Sequence, residues 1–121
     1  MSQYFFWFSE APDSYHYRTV EVGQTVQFSC PKKQGQDVDW VRLATSESRQ
    51  RYIYYGNQGL DDLGLDPRFA VLDKTQSHML VIYNVTVNDS AQYQCVEDSG
   101  IGNEHFYRLT VRGICYVHIC Y

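Results

Sequence analysis

The chain has 121 residues, a formal net charge of −4 and 16% aromatic side chains, among them 11 Tyr and 6 Phe. That length supports one domain with one core, and an acidic balance with no Lys/Arg stripe argues against a nucleic-acid partner. No apolar run approaches the roughly 20 residues that cross a bilayer, so membrane contact is expected only through a segment outside this chain. The opening Tyr4–Phe8 run is five residues long and has no basic residues before it, so it does not read as a leader peptide. The cysteines and two glycosylation sequons nonetheless point to the secretory route, and Met1 is read as an added start or a precursor remnant.

Runs rich in Val, Tyr, Phe and Ile predict short strands, and no helix longer than one turn is expected. Thr19–Val22 and Thr25–Cys30 are two strands joined at Gly23-Gln24, with Val26, Phe28 and Cys30 alternating inward. After a loop from Pro31 to Gln36, Val38, Trp40 and Arg42 share one face of a third strand, and Asp39, Val41 and Leu43 the other. Arg51–Tyr55 is a strand, and Gly56–Pro67 a Gly/Asp-rich loop. Arg68–Leu72 and Met79–Val85 are further strands. Ala91–Glu97 and Glu104–Arg112 form a hairpin across the glycine-rich Ser99–Asn103. Residues 1–17 and 113–121 fall outside this pattern, as an N-terminal segment and a C-terminal tail or the start of a stalk, around a domain at 18–112.

Cys30 and Cys95 lie 65 residues apart, too far for a local zinc knuckle but suited to a bond between two sheets. Trp40 follows the first by ten residues, and Asp89-Ser90-Ala91-Gln92-Tyr93-Gln94-Cys95 surrounds the second. Gly23, Val26, Phe28 and Cys30 match a G-x-x-V-x-L-x-C string, Leu80, Ile82 and Val85 an L-x-I-x-x-V string, and Arg68-Phe69 an R-F pair. On these residues the stretch from about Val20 to Val111 resembles the V-set of the immunoglobulin superfamily. The resemblance implies an all-β fold, a V-type two-sheet antiparallel sandwich with one inter-sheet disulfide, Cys30–Cys95. Such a bond restrains the unfolded chain by about 4 kcal/mol in the entropic account. It further implies a core around Trp40, Leu80, Ile82 and Tyr93, with Tyr93 at the tyrosine-corner position. It also implies a salt bridge between Arg68 and Asp89, which Arg42 is placed to join.

Two departures matter. Antigen-receptor chains carry Phe-Gly-x-Gly in their last strand, whereas this chain reads Asn103-Glu104-His105-Phe106-Tyr107-Arg108. They carry Gln three residues after the tryptophan, where this chain has Leu43. The resemblance is therefore to leukocyte receptor or co-receptor domains of innate type rather than to antibodies. The expected function is recognition of a protein ligand or counter-receptor by a homodimer or heterodimer at the cell surface, with no cofactor, no metal and no catalysis. A secreted, self-associating adhesion module is the alternative.

By alternation the face that the family calls GFCC′ carries Asp39, Val41, Leu43, Tyr52, Tyr54, Gln92, Gln94, Val96, Phe106 and Arg108, and tyrosine gives contact area at low entropic cost. At one end, Lys32 and Lys33 lie in a loop region with Asp61, Asp62, Glu97 and Asp98, a setting for a polar ligand. Asn84-Val85-Thr86 and Asn88-Asp89-Ser90 are glycosylation sequons. His16, His78, His105 and His118 fall in no nucleophile or metal motif, and His78 is expected to be exposed. Cys115 and Cys120 would lie roughly 16 Å apart on opposite faces of an extended strand. They bridge each other only if the tail turns; otherwise they bond other chains or stay free. With His118 they spell Cys-x2-His-x-Cys, three ligands where structural zinc takes four.

Overall fold

A computed structural model describes residues 14–30, 38–56, 66–72, 78–97, 104–113, 115–117 and 119–120. The chain contributes β1 (Ser14–Glu21), β2 (Val26–Phe28), β3 (Val38–Arg42), β4 (Arg51–Tyr55), β5 (Phe69–Leu72), β6 (Met79–Ile82), β7 (Ala91–Glu97) and β8 (Glu104–Arg112). A short hairpin follows, β9 (Cys115–Tyr116) and β10 (Ile119–Cys120), and the only described helix is a 3-10 turn at Val87–Asp89. One sheet runs β1-β8-β7-β3-β4 and the other β2-β6-β5. This is the all-β, two-sheet architecture that the resemblance implied.

The alternation shows in the burial. Along β7, Ala91, Tyr93, Cys95 and Glu97 are buried, while Gln92, Gln94 and Val96 are half-exposed. β2 repeats the pattern with Val26 and Phe28 inside. Between the sheets, Phe28, Trp40, Ile53, Leu80, Ile82, Val85, Tyr93 and Leu109 form one core. Cys30 and Cys95 bond inside it with Cα atoms 6.0 Å apart. Trp40 donates its indole N–H to the His78 carbonyl at 2.8 Å, which satisfies the one polar atom of that side chain.

β1 begins at Ser14, inside the segment read from sequence as an N-terminal arm, and runs parallel to β8 from Ser14↔His105 to Glu21↔Arg112. The chain then turns at Gly23, whose φ of 94° is natural to glycine, and its N–H donates to the Val85 carbonyl in the other sheet's layer. That single turn moves the chain from one sheet to the other.

Two expectations need correction. His78 is 3% exposed rather than on the surface, because its carbonyl must sit over Trp40. Tyr54 is 5% exposed and belongs to the core, because the β3–β4 register shifts between Trp40 and Val41. Trp40 pairs with Tyr54 but Val41 pairs with Tyr52, leaving Ile53 as the extra residue. Strict alternation predicts Tyr52 and Tyr54 on one face; the bulge puts Tyr52 and Tyr55 there, with rings stacked 4.5 Å apart.

Gly56 follows β4, and its N–H donates to the Asp39 carboxylate at 2.9 Å. A Cβ built there would collide with the Val38 carbonyl oxygen, and backbone cannot step aside as a side chain can. Gly56→Ala should lower stability by about 1–3 kcal/mol, the range for overpacked sites. Urea unfolding checks this, and an unchanged midpoint would contradict so close an approach.

Candidate functional site

The outer face of the five-stranded sheet can be laid out row by row from its registers. One row reads Tyr17, Arg108, Gln92, with Leu43 joined to Gln92 through a 2.9 Å backbone hydrogen bond. The next reads Tyr15, Phe106, Gln94, Val41, Tyr52. A third reads Glu104, Val96, Asp39, Tyr55. Tyr15 meets Phe106 edge-on at 5.7 Å and Tyr17 at 5.2 Å, and its hydroxyl donates to Gln92 at 2.9 Å. Tyr17 is 74% exposed, Tyr15 39% and Tyr52 37%.

Val41 is only 2% exposed and Asp39 7%, so both are floor beneath the neighbouring rings rather than contact groups. Leu43, Gln94, Val96 and Phe106 are half-buried and Arg108 is exposed. Tyr15, Tyr17 and Tyr55 were missed in the sequence. The Tyr15-x-Tyr17 alternation, continued through Thr19 and Glu21, was the available signal for the first two. Nothing local marks the bulge that turns Tyr55 outward.

The foot of the sandwich is held by charge. Arg68 makes a two-pronged pair with Asp89, at 2.7 and 3.1 Å, and also reaches Asp66 at 2.9 Å. Asp89 also accepts the Thr86 N–H at 2.8 Å. Hydrogen bonds from Arg68 hold the Asp66 carboxyl below its ordinary range, while Asp89 and Asp66 push the Arg68 guanidinium higher still. Tyr93 donates its hydroxyl to the Asp89 carbonyl at 2.7 Å. Arg42 does not reach the Asp89 carboxylate; it donates to the Asn88 carbonyl at 2.8 Å and lies over the Tyr93 ring.

At the opposite end, Glu97 is 1% exposed, not a loop-side charge as its neighbours in sequence suggested. His105 Nε2 meets its carboxylate at 2.8 Å. Hairpin register signals this pair, since Glu97 alternates inward with Cys95 and His105 lies directly opposite Cys95. Cys30, Glu97 and His105 offer atoms within 4.8 Å of one another, but the Cys30 sulfur is already bonded to Cys95 and is no thiolate ligand. His16 stacks on Tyr107 at 4.9 Å. Lys32, Lys33, Asp61, Asp62, Asp98, His118 and the Tyr4–Phe8 run lie outside the described residues. Asn84 and Asn88 are both exposed.

A parallel first strand beside β8, a sheet of five over a sheet of three, and a buried Cys–Trp–Cys core are now in place. A family model, the immunoglobulin V-set domain, matches residues 13–112. The chain belongs to the immunoglobulin V-set family. Comparison with individual characterised proteins gives no match. V-set domains are generally non-enzymatic modules that commonly bind proteins, and they are typically extracellular. No helix among the described residues is long and apolar enough to cross a membrane. The V-set match begins at residue 13, so β1 is part of the domain.

Asp89→Ala removes the charged hydrogen bonds to Arg68 and the Thr86 N–H while Arg68 keeps Asp66, so it should cost about 1.5–3 kcal/mol. A thermal melt unchanged by that substitution would remove the brace from the account. Alkali supplies a second check. Burial pushes the Tyr93 phenol from 10.0 up to about 12. The unfolded chain thus ionises first, and this contribution is intact below pH of about 10 and lost as pH rises towards about 12. Denaturation midpoints across that window should fall, and fall less in Tyr93→Phe.

Proposed function

We propose that this V-set domain is the ligand-binding domain of a cell-surface immune receptor or co-receptor. It recognises a protein ligand through the outer face of the five-stranded sheet and the adjacent loops, and it is dimeric. The observation that carries this reading is the row of aromatic side chains across β1, β8 and β4, where Tyr15, Tyr17 and Tyr52 remain exposed beside half-buried Phe106. Aromatic groups at this density are what interface cores are made of. Leu43, Gln94, Val96 and Arg108 extend the patch, and Val41 supports it from below.

β8 pairs with β7 from Glu104 to Leu109 without a register shift. A bulge at that place is what the Phe-Gly-x-Gly of antigen receptors would supply, and its absence favours self-pairing or a counter-receptor over antibody-like chain pairing. Asn84 and Asn88 are the proposed glycan acceptors, and Asn84 follows β6 in the three-stranded sheet. Asn88 lines a groove with Arg42, Leu43, Gln92 and Arg108 at the foot of the face.

Light scattering on the purified domain should give the mass of a dimer, and Leu43→Arg, a charge set into the face, should give a monomer with an unchanged melt. A wild-type domain that stays monomeric at high concentration would overturn the homodimer. A dimer indifferent to Leu43→Arg and to Tyr15→Ser would overturn the choice of face.

A further inference from the structure

After Arg112 the chain folds back on itself. β9 and β10 pair antiparallel, with Tyr116 opposite Ile119 and Cys115 opposite Cys120. The extended reading that separates the two cysteines therefore does not apply. In a two-residue hairpin the closing pair exchanges hydrogen bonds, and the next pair is of the non-hydrogen-bonded kind, with Cα atoms about 4.5 Å apart. That spacing falls within the roughly 4.4–6.8 Å range of disulfides, and directly opposed residues share one face of the ribbon.

The hairpin also needs a clamp. Among the described residues these two-residue strands pair only with each other, and an isolated two-stranded hairpin is marginally stable at best in water. Val117, a β-branched residue, takes a φ of 47° in the loop, a conformation that such residues adopt only under constraint. We propose that Cys115 and Cys120 form an intrachain disulfide that closes this hairpin. Formation is an exchange with an oxidised disulfide such as glutathione disulfide. One cysteine thiolate attacks it and releases one thiol, and the second cysteine thiolate displaces the other. The two cysteines together lose two electrons and two protons, and the donor gains both. The bridge rests on the extracellular reading for its oxidant alone. It makes the tail unavailable for bonding a second chain, so dimers of this protein are held without covalent links.

The test is a peptide map of the full chain secreted from eukaryotic cells, alkylated without reduction and cut with trypsin. The peptide that starts at Gly113 carries both cysteines. It should be two hydrogen masses lighter than the dithiol, take no alkyl group, and take two after reduction. The Cys30–Cys95 peptides in the same digest report the compartment. Cys30–Cys95 bonded with Cys115 and Cys120 alkylated would overturn the bridge alone. Both pairs reduced would overturn the extracellular reading and the bridge together. A Gly113 peptide joined to a second copy, or one zinc retained per chain on Cys115 and Cys120, would likewise overturn it. Cys115→Ser should expose one titratable thiol and give some reductant-sensitive dimer, whereas the wild type gives none.

Discussion

The short turn at Val87–Asp89 ties together the foot of the domain. The Asp89 carboxylate holds Arg68 ahead of β5, its carbonyl accepts the Tyr93 hydroxyl from β7, and the carbonyl beside it accepts Arg42 from β3. Ser90 adds a link to β8 by accepting the Val111 N–H at 2.9 Å. Four segments from both sheets thus converge on three consecutive residues, Asn88, Asp89 and Ser90. A carboxylate 4% exposed is tolerable only because each of its oxygens has a charged or N–H partner. With that end fixed and the Cys30–Cys95 bond spanning the core, the sheets have little freedom to slide, and the outer face has a defined relief.

That relief follows from the central strand. β3 is buried at all five positions, between β7 on one side and β4 on the other. Its inner face carries Trp40 into the core, and its outer face offers Val41 and Asp39 as a floor. The bulge against β4 then twists the edge so that Tyr52 and Tyr55 stack outward while Ile53 and Tyr54 fill the core. On the far edge β1 adds Tyr15 and Tyr17 in parallel register with β8. The rings stand at the margins of the face and the polar or small side chains towards its middle, a relief that suits contact with another protein surface better than a pocket for a small molecule.

Much of the fold was legible because it rests on short-range signals. The spacing of Cys30, Trp40 and Cys95, the strings around them, and the period-two alternation of β2 and β7 all survive as read. The candidate face was legible in part. Gln94, Val96, Phe106 and Arg108 emerge on it because β7 and β8 form a regular hairpin, where local alternation and tertiary register agree. Glu97 follows the same register and was read as a loop-side charge only because acidic side chains are ordinarily sought at the surface.

The sequence by itself determined the sandwich and its family, because periodicity, turn residues and cysteine spacing act within or between neighbouring strands. Only the tertiary structure decided which tyrosines face outward, that β1 joins the sheet beside β8, that His78 lies buried over Trp40, and that Cys115 falls opposite Cys120. Each of these depends on a bulge, a crossover or a register between separate segments. The Cys30–Trp40–Cys95 frame sets the core, and the packing of segments around it sets the surface that the domain presents.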